Sequence, residues 1–338
     1  GKESVLESAI KEKIMNIQPG DMQQYRNVTV FPLFCGFKPP VKHLVLKEAM
    51  EKGLITIGEV NERGHVPQLK VTSNASAPVL ILDGEELFGA KQNRVLNTTV
   101  LLRKHSVTII PVSCTEQGRW HYESKTFTES GIIMSPRLRE MKNRSVQESL
   151  RTTREFRSDQ CAIWDGIRDQ ADHASVSSPT GAMRDVHEKR REDIIDYGRR
   201  FPLVPGQQGI LVAIGQEVVG MDVVTYPQAY ALLHEKLVQS YVMDAIIHRG
   251  GKTRGADKAQ THAFINGIGE CTMTRYKSVG HGWDVRFEGE NLFGSALEYR
   301  SGAVHLAFFA SQAQRPGKER SRMSGYRRRA GFKKSDNY

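Results

Sequence analysis

Apolar positions along this chain change their spacing three times, and each change predicts a different kind of element. The first 15 or so residues place Val5, Leu6, Ile10 and Ile14 near helical spacing. "NVTVFPLF" then reads as a strand, "VKHLVLKEAMEKG" as an amphipathic helix stopped by Gly53, and "LITIGEV" as the next strand. Through "GHVPQLKVTSNASAPVLILDGEELFGA", "VLNTTVLL" and "SVTIIPVSC", alternation and short apolar runs are broken by turn residues, which predicts antiparallel strands. Between Ser135 and Arg200 the spacing turns helical in "SPRLREMKNRSVQESLRTTREF", "DQCAIWDGIRDQA" and "RDVHEKRREDIIDYGRR", with "SVSSPTGAM" as a loop. Strands return in "GILVAIGQEVVGMDVV". A long helix follows in "YPQAYALLHEKLVQSYVMDAII", with Tyr230, Leu233, Leu237, Tyr241 and Ala245 on one face. Strands close the chain in "GECTMTRYKSVGHGWDVRFEGENLFGSALEYRSGAVHLAFFA".

This pattern predicts a β-rich α+β fold of antiparallel sheets with a helical middle segment. The expected organisation is an N-terminal helix over 1–18, a β-rich half over 19–134, a helical segment over 135–200, a second α/β half over 201–312 and a tail over 313–338. One stretch repeats: "LDGEELFGA" (Leu82 to Ala90) resembles "FEGENLFGS" (Phe287 to Ser295). A weaker third copy, "AIGQEVVGM", keeps Gly215, Glu217 and Gly220. Each reads as a strand, a glycine turn and a second strand. Duplication of a hairpin-bearing β unit and independent convergence on hairpin chemistry both account for the likeness.

At 338 residues, 39% apolar and 25% charged, the chain has the composition of a soluble globular protein with room for two domains or one large one. No apolar run approaches the roughly 20 residues of a spanning helix, so no membrane partner is expected. The opening Gly1-Lys2-Glu3 is polar and shows no signal-peptide pattern. Cys35, Cys114, Cys161 and Cys271 form no C-x-x-C pair, which argues against a zinc ribbon or dithiol motif and fits free thiols in a reducing cytoplasm. The 11 histidines lack H-x-H and H-E-x-x-H spacing, so no metal site is expected. "GGKTRG" suggests a P-loop but has Ile246 where the motif needs glycine, and "NGIGECT" lacks the third glycine of a dinucleotide fingerprint. His281 and Asp284 in "HGWDVRFEG" read as turn chemistry. No cofactor follows from any of these patterns.

The net charge of +10 is unevenly placed. From Arg315 onward nine Lys or Arg face only Glu319 and Asp336, a net +7, which leaves +3 for the body. Clustered like charge with few apolar residues predicts a disordered tail. The tail reads either as a solubilising segment or, through Arg315 to Lys334, as a contact for nucleic acid or an acidic protein partner.

Two polar strips border the most apolar strands of the first half. One runs Lys91, Gln92, Asn93, Arg94, then Asn97, Thr98 and Thr99. If Val95 to Leu102 is one strand, Leu96, Thr98, Val100 and Leu102 share a face. Two cations and three amides can hold a phosphate or carboxylate, Arg by a planar fork and Lys as a point charge. A solvated turn that caps its neighbours would have the same composition. The other strip, "SCTEQGRWHY", follows the strand "VTIIPV" and offers Ser113, Cys114, Glu116, Arg119 and Trp120. Trp120 is suited to stack on a ring. Cys114 would need a nearby base and a depressed pKa to act as a nucleophile, and a buried inert thiol is the favoured reading.

The blocks "LDGEELFGAKQNRVLNTTVLL", "PVSCTEQGRW" and "SPRLR", with "DQCAIWDGI", "SSPTGA" and "GQEVVGMDVV" further on, resemble the ADP-ribosylglycohydrolase- and rhodanese-phosphatase-superfamily-associated domain. The resemblance covers roughly residues 20 to 310. It implies a role near ADP-ribose or NAD metabolism and carries no catalytic residue with it. The expectation is a cytosolic protein that binds, and in one version processes, a nucleotide-type anion. Lys91, Arg94 and Arg119 would meet phosphate, while Gln92, Asn93 and Asn97 meet ribose or base edges, beside Thr98, Ser113 and Cys114. Trp120 would stack, and Glu116 is the candidate general base. The alternative is a non-enzymatic interaction scaffold whose basic tail contacts nucleic acid or an acidic partner.

Overall fold

The computed structural model describes residues 2–61, 64, 66–247 and 255–311, with side chains from residue 9 onward. The basic tail and all but Gly255 of the P-loop-like stretch lie outside the described residues. In chain order the first elements are α1 (Lys2–Met15), β1 (Gln18–Pro19), β2 (Gln23–Tyr25), β3 (Val28–Phe34), β4 (Leu44–Val45), α2 (Leu46–Glu51), β5 (Ile55–Glu59), β6 (Gln68–Ser73) and β7 (Val79–Ile81). Next come β8 (Glu85–Gly89), β9 (Arg94–Leu96), β10 (Val100–Leu102), β11 (Ser106–Cys114) and β12 (Phe127–Ile133). The helical stretch is α3 (Pro136–Thr152), α4 (Gln160–His173), α5 (Met183–Lys189) and α6 (Arg191–Gly198). The chain then forms β13 (Gly209–Ile214), β14 (Glu217–Val224), α7 (Pro227–Ile247), α8 (Lys258–Gly269), β15 (Thr272–Lys277), β16 (Trp283–Glu288), β17 (Leu292–Tyr299) and β18 (Gly302–Ala310). Among the described residues no helix is long and apolar enough to cross a membrane.

Two β bodies carry the fold. A nine-stranded sheet has the order β1-β3-β13-β14-β18-β17-β16-β15, with β2 paired on β3, and every pairing in it is antiparallel. A closed barrel has the order β11-β6-β5-β12-β8-β9, and a three-stranded sheet β10-β7-β4 lies beside it. The result is a β-rich α+β fold, as the pattern predicts. Side chains on the large sheet alternate between two cores. Val28, Val30, Ile210 and Val212 pack with α7, while Phe31, Leu33, Leu211 and Ala213 pack with Ile10, Ile14 and Ile265 of α1 and α8. Burial of both faces explains why "GILVAI" is a continuous apolar run rather than an alternation.

Three expectations are corrected. "VKHLVLKEAMEKG" yields only the short helix α2, because Leu44 and Val45 pair in parallel with Val79 and Leu80 instead. Val95 to Leu102 is not one strand: β9 closes the barrel while β10 pairs with β7, and Asn97 to Thr99 cross between them. The repeat is local only. At Phe287 to Ser295, β16 and β17 form a true hairpin with Glu288 opposite Phe293. At Leu82 to Ala90, β7 pairs with β10 and β4 whereas β8 pairs with β12 and β9, so the turn at Gly84 joins two separate sheets. Neighbouring strands disagree, which favours convergence over duplication. Strand β3 from the first part of the chain hydrogen-bonds to β13 from the second.

Candidate functional site

Strand parity builds the site. Inside the barrel Ile55 and Ile57 of β5, Leu96 of β9, and Ile110 and Val112 of β11 form one apolar core. Two residues further along each strand, the same inward columns end in Glu59, Arg94 and Cys114. Cys114 lies directly opposite Arg94 in the β9–β11 pairing. One end of a closed apolar barrel is therefore finished by an acid, a guanidinium and a thiol.

The loops flanking this mouth hold the two sequence strips together. Gln92 accepts from Arg94 Nη1 at 2.9 Å and donates to the Glu116 carbonyl at 2.9 Å. Asn93 Oδ1 accepts from Arg119 Nη2 at 3.1 Å and from the Gly89 amide at 3.2 Å. Arg119 also donates to the Ala90 carbonyl at 2.7 Å and to Glu116 at 2.9 Å. The Glu116 carboxylate further accepts from the Asn93 amide at 3.3 Å and Thr180 Oγ1 at 3.0 Å. Glu116 and Arg119 are thus occupied in bracing the loop, and the expected general base has both oxygens engaged. Trp120 is 47% exposed, and Lys91 Nζ stands 5.3 Å from its ring centroid and 4.9 Å from that of Tyr122. Arg94 lies under the same indole at 5.8 Å.

The remaining predicted residues face elsewhere. Asn97 and Ser113 point out of the barrel: Ser113 Oγ donates to Asn97 Oδ1 at 2.5 Å, and Asn97 Nδ2 donates to the Phe156 carbonyl at 2.9 Å. Thr98 bonds Asp284, which Arg286 also holds through Nε at 2.6 Å. These residues belong to a buried polar network between barrel and sheet. In it Arg139 grips Asp222 with two bonds of 2.8 and 2.9 Å and reaches Asp83 at 3.3 Å. Lys142 pairs with Asp83, His305 Nε2 lies 3.1 Å from Asp222, and Tyr241 donates to Asp222 at 2.8 Å. Asp83, Asp222 and Asp284 are matched by Arg139, Lys142 and Arg286. Burial alone would raise the Asp222 carboxyl, but Arg139 and His305 beside it hold it down to about 2. Burial likewise pushes the Lys142 ammonium down to about 8 against the pull of Asp83, which leaves it charged at neutral pH. Asp284, which reads as turn chemistry in sequence, is a strand residue of this network.

The mouth differs because several of its buried polar atoms are not saturated. Among the described residues Arg94 Nε and Nη2, both Glu59 carboxylate oxygens and Trp164 Nε1 are buried without a hydrogen-bond partner. Burial lowers the Arg94 pKa, and nearby Cys114 and Glu59 only partly oppose it. Burial raises the Cys114 thiol, with Arg94, the Glu116 carbonyl and Trp164 pulling the other way. Neither Arg94 nor Trp164 is aligned on the sulfur as a proper donor, and the thiol is spent on the Glu116 carbonyl at 3.0 Å. Cys114 is therefore a buried thiol with its pKa raised and its hydrogen given to a backbone carbonyl. Close by, Glu86 accepts from Thr115 at 2.8 Å, leaves Oε2 unpartnered, and is raised by burial to about 7. No group of three or more metal-ligating side chains occurs among the described residues. Sequence reasoning missed Glu59 and Trp164 as site residues. The available signal was parity: Glu59 continues the Ile55–Ile57 stripe, where an apolar residue belongs.

The fold and this mouth define a barrel-and-sheet α+β protein with buried polar groups closing one end of the barrel. A family model matches residues 16–309, and the chain belongs to that family, ARPP-1, the ARG and Rhodanese-Phosphatase-superfamily-associated Protein domain. No curated protein and no solved structure matches the chain.

Proposed function

We propose that the barrel mouth binds a nucleotide-type anion related to ADP-ribose or NAD. The observation that carries this is the Arg94 guanidinium, fully buried with two nitrogens unpartnered among the described residues. A buried unpaired donor costs about 1–3 kcal/mol, and more when charged. Such a cost persists in a fold where a ligand redeems it. Phosphate oxygens fit the free edge of the fork. Glu59 offers two open acceptors, the chemistry that receives ribose hydroxyls. The half-exposed Trp120 ring supplies a stacking face above, and Lys91 a second cation at the rim. The family's association with ADP-ribosylglycohydrolases supports this ligand class. The reading is one of binding, supported by the Cys114 thiol being engaged by the Glu116 carbonyl and by both Glu116 oxygens being engaged by Asn93, Arg119 and Thr180.

Titration of the full chain with ADP-ribose tests the reading. Ligand at 100 times its dissociation constant should stabilise the fold by about 2.7 kcal/mol. Arg94→Met should weaken binding at least about tenfold, because a charged hydrogen bond contributes about 1.5–3 kcal/mol. The same variant should melt no lower than the wild type. Absence of binding by ADP-ribose, NAD and ADP alike, or undiminished binding by Arg94→Met, would refute the proposal.

A further inference from the structure

A second basic centre lies at the opposite end of β11. This nine-residue strand starts at Ser106 and ends at Cys114 in the barrel mouth, so the two ends are roughly 26 Å apart at about 3.3 Å per step. Beside its start opens a cleft of about 520 Å³. Five segments distant in sequence meet there and bring Lys42, Arg103, Lys104, His281, Tyr299 and Arg300 to its walls. None of the described residues that line it is acidic. Among the described residues Lys42, Arg103, Lys104 and Arg300 form no ion pair, although the exposed cations elsewhere commonly do.

The walls are fixed rather than loose. The His281 amide donates to the Leu101 carbonyl at 2.8 Å, the Ser278 amide to the Gly282 carbonyl at 3.2 Å, and Arg103 Nη2 to the Gly280 carbonyl at 3.1 Å. A Cβ on Gly280 would stand 2.2 Å from the Leu101 carbonyl oxygen, so only glycine permits this approach. Arg300 and Ser301 both hold positive φ, 49° and 59°, at the tip between β17 and β18. Tyr299 carries His281 at 4.8 Å between ring centroids, and the Arg300 guanidinium lies 5.1 Å from its centroid. Burial first, and then the cations Arg103, Arg300 and Lys104, lower the His281 pKa. Like charges gathered without a counter-charge destabilise the compact state.

We infer that this cleft is a second ligand site, for a small molecule bearing a pyrophosphate or comparably charged phosphate group. Arg fits phosphate oxygens bidentately and Lys as a point charge. The cleft lies within the range of small-ligand sites, about 300–1,000 Å³. It is separate from the barrel mouth, and its existence does not depend on what binds there.

Isothermal titration of the full chain with inorganic pyrophosphate, ADP, adenosine and a short single-stranded oligonucleotide tests this. Pyrophosphate and ADP should bind and adenosine should not bind here, with affinity falling as salt rises. Arg103→Glu combined with Arg300→Glu should weaken pyrophosphate binding at this site at least about tenfold. The double variant loses the Arg103–Gly280 bond but should keep a cooperative thermal transition, which shows that lost binding is not lost folding. Arg94→Met should leave this pyrophosphate site intact, so failure at the mouth and failure at the cleft are read separately. Pyrophosphate binding that survives the double variant unchanged, or vanishes in Arg94→Met alone, would overturn the proposal. So would capture of the oligonucleotide with no binding of pyrophosphate or ADP.

Discussion

Replacing Arg139 by Met should remove the rivet between barrel and sheet while leaving a side chain of similar length. Arg139 is fully buried and carries the bidentate pair with Asp222 and a third bond to Asp83. Its loss leaves Asp222 with Tyr241 and His305, and no permanent cation, in a dry interior. Breaking a buried pair by removing one partner costs about 3–5 kcal/mol. That is a large share of a total stability of about 5–15 kcal/mol. With a urea m-value of about 3 kcal/mol/M, the midpoint should fall by about 1–1.7 M. The acid limb then separates charge from packing. In the wild type Asp222 is held at about 2, against an ordinary 3.8. Its contribution is therefore fully present above pH 3.8 and lost as pH falls through about 2. In the variant the same carboxyl, buried without its cation, should titrate above its unfolded value. Its penalty is then present at neutral pH and relieved as the group takes up a proton, so the gap to wild type should narrow toward pH 4. A gap under about 1 kcal/mol would refute the rivet. A gap of full size that does not change with pH would show that a packing defect, not an unpaired charge, is responsible.

Gly84→Ala should cost about 1–3 kcal/mol by thermal or urea unfolding, since φ there is +79° and a new Cβ would stand 3.0 Å from Arg139 Cγ; an unchanged midpoint would contradict it. Burial lowers both His43 and His187 to about 4 from 6.5, so each resists protonation in the folded state. Their stabilisation is complete above pH 6.5 and lost as pH falls toward 4, by up to roughly 3 kcal/mol each. His187→Phe should flatten the acid limb of a stability–pH curve, and a curve as steep as the wild type's would rule this out. Arg94→Met should hold or raise the urea midpoint, in contrast to Arg139→Met, because Arg94 leaves two nitrogens unpartnered where Arg139 is saturated.

That contrast is the physical basis for separating site from scaffold. Both arginines are wholly buried. Arg139 lies in a network whose charges sum to zero, and such a network holds two bodies in register. Arg94 lies at an end of the barrel where an apolar column stops and donors are left over. By composition alone the two are equivalent.

The sequence by itself determined the fold class, because apolar period is set by strand and helix geometry and survives in any context. The helices over 136–152, 160–173 and 227–247 and strands β3 and β13 to β18 of the large sheet stand where the period places them, whereas the short β1 and β2 carry no such pattern. It also marked Lys91 to Arg94 and Ser113 to Trp120 as candidate site residues, since so many hydrogen-bonding groups beside apolar strands need a reason. Only the tertiary structure decided which of them face inward. Parity depends on where a strand begins to pair, and that is a long-range choice: Arg94 opposite Cys114 turns both into the barrel, and Val95 opposite Ser113 turns Ser113 and Asn97 out. It decided that "VLNTTVLL" breaks into strands of two sheets, a matter of which partners arrive and not of local preference. It brought Asp83, Arg139 and Asp222 together across 139 residues of chain, far beyond any local signal. And it gathered the cleft cations Lys42, Arg103, Lys104 and Arg300 from three separate segments, each of which reads alone as an ordinary solvated loop, because only the packed fold makes their shared field visible.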